Sequence, residues 1–164
     1  MGGNRHHAEK LLPLIETVGG KLKIISEWEA NPQLKDRVEY VFWDLFTVRR
    51  ILQSCRVGIA PQDVSKQPCK SNVKITLYMS CDLLVIASPL RAYKDIIVND
   101  ENGWLVDSKQ QWLDTLNVAL NCTEEFREKI LHNARLSLAK YSPSFITNRW
   151  LATVHQCLEM NKRD

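Results

Sequence analysis

The 164-residue sequence has no Gly-x-Gly-x-x-Gly run, no Walker-type phosphate loop, no His-Glu-x-x-His and no Gly-x-Ser-x-Gly. Each of those motifs works through a short-range geometry: a backbone cradle, a pair of metal ligands or a strained nucleophile elbow. The corresponding dinucleotide, nucleoside-triphosphatase, zinc-protease and hydrolase chemistries therefore have no local support. Histidine is scarce at four residues, scattered along the chain, and no nucleophile is directly flanked by one, which argues against covalent hydrolase chemistry. No apolar run approaches the ~20 residues that span a bilayer, so no transmembrane segment is expected. The opening MGGNRHHAEK has no apolar signal-peptide core. The five cysteines (55, 69, 81, 122 and 157) are odd in number, widely spread and never in a Cys-x-x-Cys pair. That usage suits free thiols in a reducing cytosol and argues against a zinc site. The net charge of +3 is too small to point to nucleic acid. Asn121-Cys122-Thr123 matches a glycosylation sequon, which is incidental without a secretion signal.

What is present is an ordinary globular balance, 45% hydrophobic and 25% charged. The length fits one domain with a full core, or one lobe of a two-lobed enzyme. We expect a single domain over 1–164, with 1–7 and 161–164 as loose ends. His6-His7 offers a metal or ligand contact in principle, and a solvated chain end is the better explanation. Leu11, Leu12 and Ile15 share a helical face within Ala8–Val18, where Pro13 kinks the helix or sits in its first turn, and Gly19-Gly20 stops it. Five short apolar runs read as strands: Leu22–Ser26, Val38–Phe42, Val57–Pro61, Leu83–Ser88 and Trp104–Val106. Asp44 is positioned to cap a helix carrying Leu45, Val48, Ile51, Leu52 and Cys55 inward. Ser108 and Gln111 form a capping box before a helix with Trp112, Leu113, Leu116 and Leu120. Two more helices follow, one with Phe126, Ile130, Leu131, Ala134 and Leu138 on a stripe. The last carries Phe145, Trp150, Leu151, Val154 and Leu158. Alternating elements with near-continuous apolar strands predict an α/β fold: a doubly wound, mostly parallel, Rossmann-like sheet with helices on both faces and three helices at the C-terminus. A chain that starts on a helix suggests that a strand preceding it is lost or lies upstream.

Such sheets bind ligands at the carboxyl ends of their strands. Here those ends are the loops at Glu27–Trp28, Trp43–Asp44, Gln62–Cys69 and Pro89–Tyr93. Lys70, Ser71, Asn72 and Lys74 cluster at a helix start, where free N–H groups and the helix dipole favour a phosphate. A capped, solvated helix start with surface lysines explains the same residues. Trp43 directly after a strand suits stacking on a base, or half-burial at a strand end. Ser88-Pro89 suits either presentation of backbone amides to a ligand or a tight exit turn. Arg56, Arg91 and Lys94 read as solvated charges.

In order, the chain carries VGIAP (57–61), KSNVK (70–74), VIASP (85–89), AYKDII (92–97), ENGWLV (101–106), Trp112, a late YS (141–142) and Trp150. From about Val38 to Trp150 this order resembles the carboxyl-terminal donor-binding lobe of GT-B-fold glycosyltransferases. These are the group 1, or family 4-like, enzymes of the large retaining group that includes sucrose- and glycogen-synthase-like proteins. Several short motifs in fixed order are far more specific than any one of them.

The resemblance implies a glycosyltransferase-like domain that binds a nucleotide-sugar donor for transfer to an acceptor hydroxyl, as in polysaccharide biosynthesis. It would be incomplete without an amino-terminal acceptor lobe from the same gene product or a partner chain. By the same resemblance, Lys70, Ser71, Asn72 and Lys74 lie beside the donor, the Ser88–Pro89–Tyr93 loop approaches the sugar or phosphate, and Trp43 approaches the base. The catalytic residue is not identified. No metal or other cofactor is expected, because amides and basic groups stabilise the departing diphosphate in such enzymes. With the cysteine usage, the expected location is cytoplasmic, free or peripheral at the inner membrane face, and the small net charge gives no nucleic-acid partner. The chain departs from the family pattern at four positions. Leu77 stands where a Glu that grips the donor ribose is usual, Cys69 where an earlier acidic partner falls, and Asp82 and Leu84 where Gly and Pro are usual. Leucine cannot accept a ribose hydroxyl, and an unpaired ligand hydroxyl costs roughly 1–3 kcal/mol. The alternative reading is a non-catalytic nucleotide-sugar-binding or protein-interaction domain that kept the fold. An unrelated flavodoxin-like or receiver module is a third, and the lack of an acidic cluster at the first strand end counts against it.

Overall fold

A computed structural model describes residues 3–27, 29, 31–65 and 70–160 of the chain. Helices α1 (Gly3–Lys10) and α2 (Leu12–Thr17) lead into strands β1 (Leu22–Ser26) and β2 (Val38–Phe42). Helix α3 (Val48–Gln53) then precedes β3 (Val57–Ala60), α4 (Val73–Ser80) and β4 (Leu84–Ala87). Helix α5 (Arg91–Lys94), β5 (Trp104–Leu105), α6 (Lys109–Asn121) and α7 (Glu124–Ser137) follow, and a 3-10 turn at Ala139–Tyr141 joins α8 (Pro143–Met160). All five expected strands form, and every pairing is parallel.

Three local expectations change. The polar residues from Gly3 onward are wound into α1 and are not a loose end, while Pro13 takes one of its two expected places, the first turn of α2, where its missing N–H costs nothing. Asp44 Oδ1 accepts from the amides of Phe46 and Thr47, both at 3.0 Å, which closes an Asx turn and delays α3 to Val48. Leu45 therefore falls in that turn and is 66% exposed, not inward-facing. Arg56 is not a solvated charge. Its Nε donates to the Ala119 carbonyl and its Nη2 to the Cys122 carbonyl, both at 3.1 Å, capping the C-terminal end of α6 where positive charge is favoured.

The larger difference is in the sheet. The strands form two sheets, β1-β2 and β3-β4-β5, instead of one. In β4, Leu84 and Ile86 point into a core built with α2, α6 and α7, from Leu12, Ile15, Trp112, Leu116, Ile130 and Leu131. Val85 and Ala87 point the other way, into a core with Ile75 and Met79 of α4 and Tyr93 of α5. A strand buried on both faces is the reason for its unbroken apolar run. A third cluster joins Val48 and Leu52 of α3 to Cys81 and Leu83, with Ile25, Leu77 and Tyr78 packed against it. The facing edges of β1 and β3 are not paired with each other, and a cavity of about 760 Å³ lies between them.

The turns that aim the strands are held by polar side chains. Asn102, buried in the turn before β5, accepts from the Val98 amide at 2.8 Å. It donates to the Ile96 carbonyl at 2.9 Å and to Ser137 Oγ at 2.7 Å. Gly103 is required beside it, because a Cβ there would stand 3.0 Å from the Val85 carbonyl oxygen. Ser108 and Gln111 make the expected capping box on α6, and Thr123 accepts from the Phe126 amide to cap α7. Along α8 no residue is buried, and Phe145, Trp150, Leu151, Val154 and Leu158 stand exposed.

Candidate functional site

The cavity between β1 and β3 opens at the carboxyl ends of the strands. Ser26 and Glu27 from the end of β1, Trp43 after β2, Ala60 and Pro61 from the end of β3, and Lys70 and Lys74 at the start of α4 line that mouth. The strand alternation positions these groups: Trp43 follows β2 directly, its amide donating to the Ser26 carbonyl at 3.1 Å. Trp43 is 39% exposed, which leaves part of its indole face open. Of the residues expected at a donor site, Lys70, Lys74 and Trp43 are thus brought together.

The two lysines interact. Protein packed around the Lys74 ammonium, and then the positive charge of Lys70, push its pKa from 10.5 down to about 8. Much of the Lys74 chain still meets solvent, which moderates the shift, and the direction follows from both causes. Two lysine side chains line one mouth together with the Glu27 carboxylate, and the Lys74 ammonium among them is partly desolvated.

The other expected residues are placed differently. Ser71 is exposed beside the helix start, and Pro89 is half-buried. Asn72 sits at the N-cap position of α4 but makes no capping bond; its Nδ2 donates to Tyr141 Oη at 2.9 Å. That contact ties the helix start to the 3-10 turn. Ser88 is buried, and its Oγ accepts from the Gln62 amide at 2.8 Å, joining the exits of β3 and β4. Tyr93 is 1% exposed in the α4–α5 core, and its burial raises its phenol pKa. Cys69 and Trp28 lie outside the described residues. Among the described residues there is no cluster of three or more His, Cys, Asp or Glu side chains that would hold a metal ion.

Leu77 is half-buried and lines the cavity, packed in the apolar cluster with Val48, Leu52, Cys81 and Leu83. The wall of the cleft at that position is therefore hydrocarbon. Two cleft residues have no role in the sequence reading. Glu27 lines the mouth with a carboxylate, signalled only by its place directly after a strand. Tyr78 lies against Gly58, where a Cβ would come within 2.6 Å of its ring, and its hydroxyl donates to the Ile59 carbonyl at 3.4 Å. Burial pushes the Tyr78 phenol up to about 12. Nothing in the spacing of Tyr78 marks it.

Residues 8–122, more than half of the chain, match the family described as glycosyl transferases group 1. The chain belongs to that family. No curated protein sequence matches it. Among solved structures, the C-terminal domain of the group 1 glycosyl transferase LpcC of Francisella tularensis is 20% identical with a TM-score of 0.63; the match covers 83% of this chain and 77% of that one. HepE of Anabaena, solved with UDP-glucose, is 13% identical at TM-score 0.69, covering 92% of this chain and 46% of HepE. TarM of S. aureus, solved with UDP among its ligands, is 17% identical at TM-score 0.71, covering 93% of this chain and 33% of TarM. At these identities the likeness establishes the fold: that of the carboxyl-terminal Rossmann-like lobe of GT-B glycosyltransferases. The group 1 chain described here spans under half the length of HepE and of TarM. No helix among its described residues is long and apolar enough to cross a membrane.

Proposed function

We propose that this group 1 domain binds the nucleoside-diphosphate part of a sugar nucleotide at the carboxyl-terminal mouth of the cleft. Transfer of the sugar to an acceptor hydroxyl would then require an acceptor lobe. The observation that carries the reading is the pair Lys70 and Lys74 lining one mouth, where burial and then the Lys70 charge lower the Lys74 pKa to about 8. A diphosphate would bring negative charge to this pair, and lysine serves it as a point charge rather than as a planar fork. The half-open indole of Trp43 offers a stacking surface for the base on the far side of the mouth. The positive groups would stabilise the negative charge that develops on the departing diphosphate, with no metal among the side chains proposed for it. HepE and TarM were solved with UDP-containing ligands, which makes a uridine donor the first to test.

The apolar wall at Leu77 weighs on strength, not on place. A ribose hydroxyl facing it goes unmatched, which sets an expectation of weak binding by the isolated lobe. Calorimetric titration with UDP, GDP and their sugars, repeated on Lys74→Ala, tests the proposal. Binding that drops at least tenfold in the variant supports it. No heat at millimolar nucleotide, or binding indifferent to the change, contradicts it and favours a non-catalytic interaction domain.

A further inference from the structure

The mouth of the cavity holds one carboxylate that a diphosphate alone leaves unused. Two acidic side chains, Glu27 and Glu39, are in the cavity lining, and Glu39 is engaged by Lys23 Nζ at 3.1 Å. Glu27 makes no hydrogen bond and no ion pair among the described residues, and it stands exposed just past the end of β1. Beside Lys70 and Lys74 its negative charge works against an anionic ligand. A carboxylate in that place suits a part of the ligand that donates hydrogen bonds, since it can only accept them.

Strand order says which part that is. Strand β1 lies between β2 and the cavity, and across the cavity come β3 and the start of α4. Along the carboxyl ends the groups therefore run from Trp43 to Glu27 and on to Lys70 and Lys74. The Trp43 amide donates to the Ser26 carbonyl, so the backbones at Trp43 and Glu27 are about one strand spacing, roughly 4.8 Å, apart. A sugar nucleotide is built in the same order, base, ribose, diphosphate. With the base on the Trp43 indole and the diphosphate at the lysines, the ribose crosses Glu27. On the α4 side Leu77 offers that ribose only hydrocarbon.

We propose that Glu27 sets donor specificity by accepting the 2′- and 3′-hydroxyls of the donor ribose, the role that an acidic group at Leu77 would otherwise fill. The inference rests on the nucleotide reading of the mouth. Two vicinal hydroxyls match the two oxygens of one carboxylate, and hydrogen bonds to an ionised acceptor are the stronger kind. A uridine or guanosine donor brings both hydroxyls. A deoxythymidine donor lacks the one at the 2′ position, so the site prefers ribonucleotide donors whatever the sugar they carry. Water competes for hydroxyls at an exposed carboxylate, which holds the preference to about five- to tenfold.

Calorimetric titration of the full chain with UDP, 2′-deoxy-UDP and inorganic pyrophosphate tests this, on the parent and on Glu27→Ala, Glu27→Gln and Lys74→Ala. The parent should bind UDP about fivefold or more tighter than 2′-deoxy-UDP. Glu27→Ala should weaken UDP by a similar factor, erase the difference between the two nucleotides and leave pyrophosphate as tight or tighter. Glu27→Gln keeps one acceptor oxygen and should fall between. Because Glu27 is exposed, both variants should keep the parent Tm. A carboxylate that only adds negative charge predicts the reverse: Glu27→Ala would then tighten all three ligands alike, which overturns the proposal. UDP binding lost in Lys74→Ala but unchanged in Glu27→Ala also overturns it, and leaves the diphosphate reading standing. No UDP binding by the parent at millimolar concentration overturns both.

Discussion

The ammonium of Lys70 acts directly on that of Lys74, adding its repulsion to the desolvation that has already lowered the Lys74 pKa to about 8. This produces two opposite pH trends. In the unfolded chain Lys74 titrates near 10.5, so between about 8 and 10.5 the unfolded state holds a proton that the folded state has lost. Stability should therefore rise with pH across that window, with the full penalty present below about 8. Diphosphate binding needs the charged ammonium, so affinity should fall over the same range, and binding near pH 8 should take up protons. Urea denaturation and calorimetry in buffers of different ionisation enthalpy measure the two trends, and Lys74→Gln should remove both.

Leu77→Glu should lower stability by about 1–3 kcal/mol in chemical denaturation, because a carboxylate then enters the apolar cluster of Val48, Leu52, Cys81 and Leu83. If the ribose lies along this wall, UDP should recover part of that loss, seen as a larger ligand-induced rise in Tm than in the parent chain.

Asp82 turns α4 into β4 with a positive φ of 61°, and its Oδ1 accepts from Arg135 Nε at 2.8 Å. Asp82→Gly should be nearly neutral. It removes the left-handed strain but also a surface ion pair worth about 0–1 kcal/mol. Asp82→Val keeps no pair and places a branched Cβ in that region, so it should cost about 1–2 kcal/mol or more by urea titration.

Asn102→Ala should be among the most damaging single changes in the turn before β5. It removes the bonds to the Val98 amide, the Ile96 carbonyl and Ser137 Oγ, which keeps only its bond to the Asn133 carbonyl, a loss of about 2–4 kcal/mol. Asn102→Asp retains only the acceptor for Val98 and should fall between the two.

The strands were legible because burial on both faces demands unbroken apolar runs such as LVIA at 84–87, and the Ser108 cap because its partner lies three residues away. What failed to show were relationships between distant residues. Arg56 reads as a surface charge until α6 brings the Ala119 and Cys122 carbonyls to it. Asn72 looks like an N-cap, yet Tyr141, far along the chain, takes its amide. Tyr93 carries a hydroxyl in a site-like motif, and its ring is core. The division of the strands into two sheets is a matter of pairing, which no local pattern encodes.

The central claim is that a nucleotide diphosphate settles between Lys70, Lys74 and Trp43. An amide and indole NMR footprint of the labelled chain during UDP titration tests it most directly. The account predicts saturable shifts at Lys70, Ser71, Lys74 and the Trp43 indole, lost in Lys74→Ala while the rest of the spectrum is kept. Shifts confined to other surfaces, or none at millimolar UDP, would contradict it.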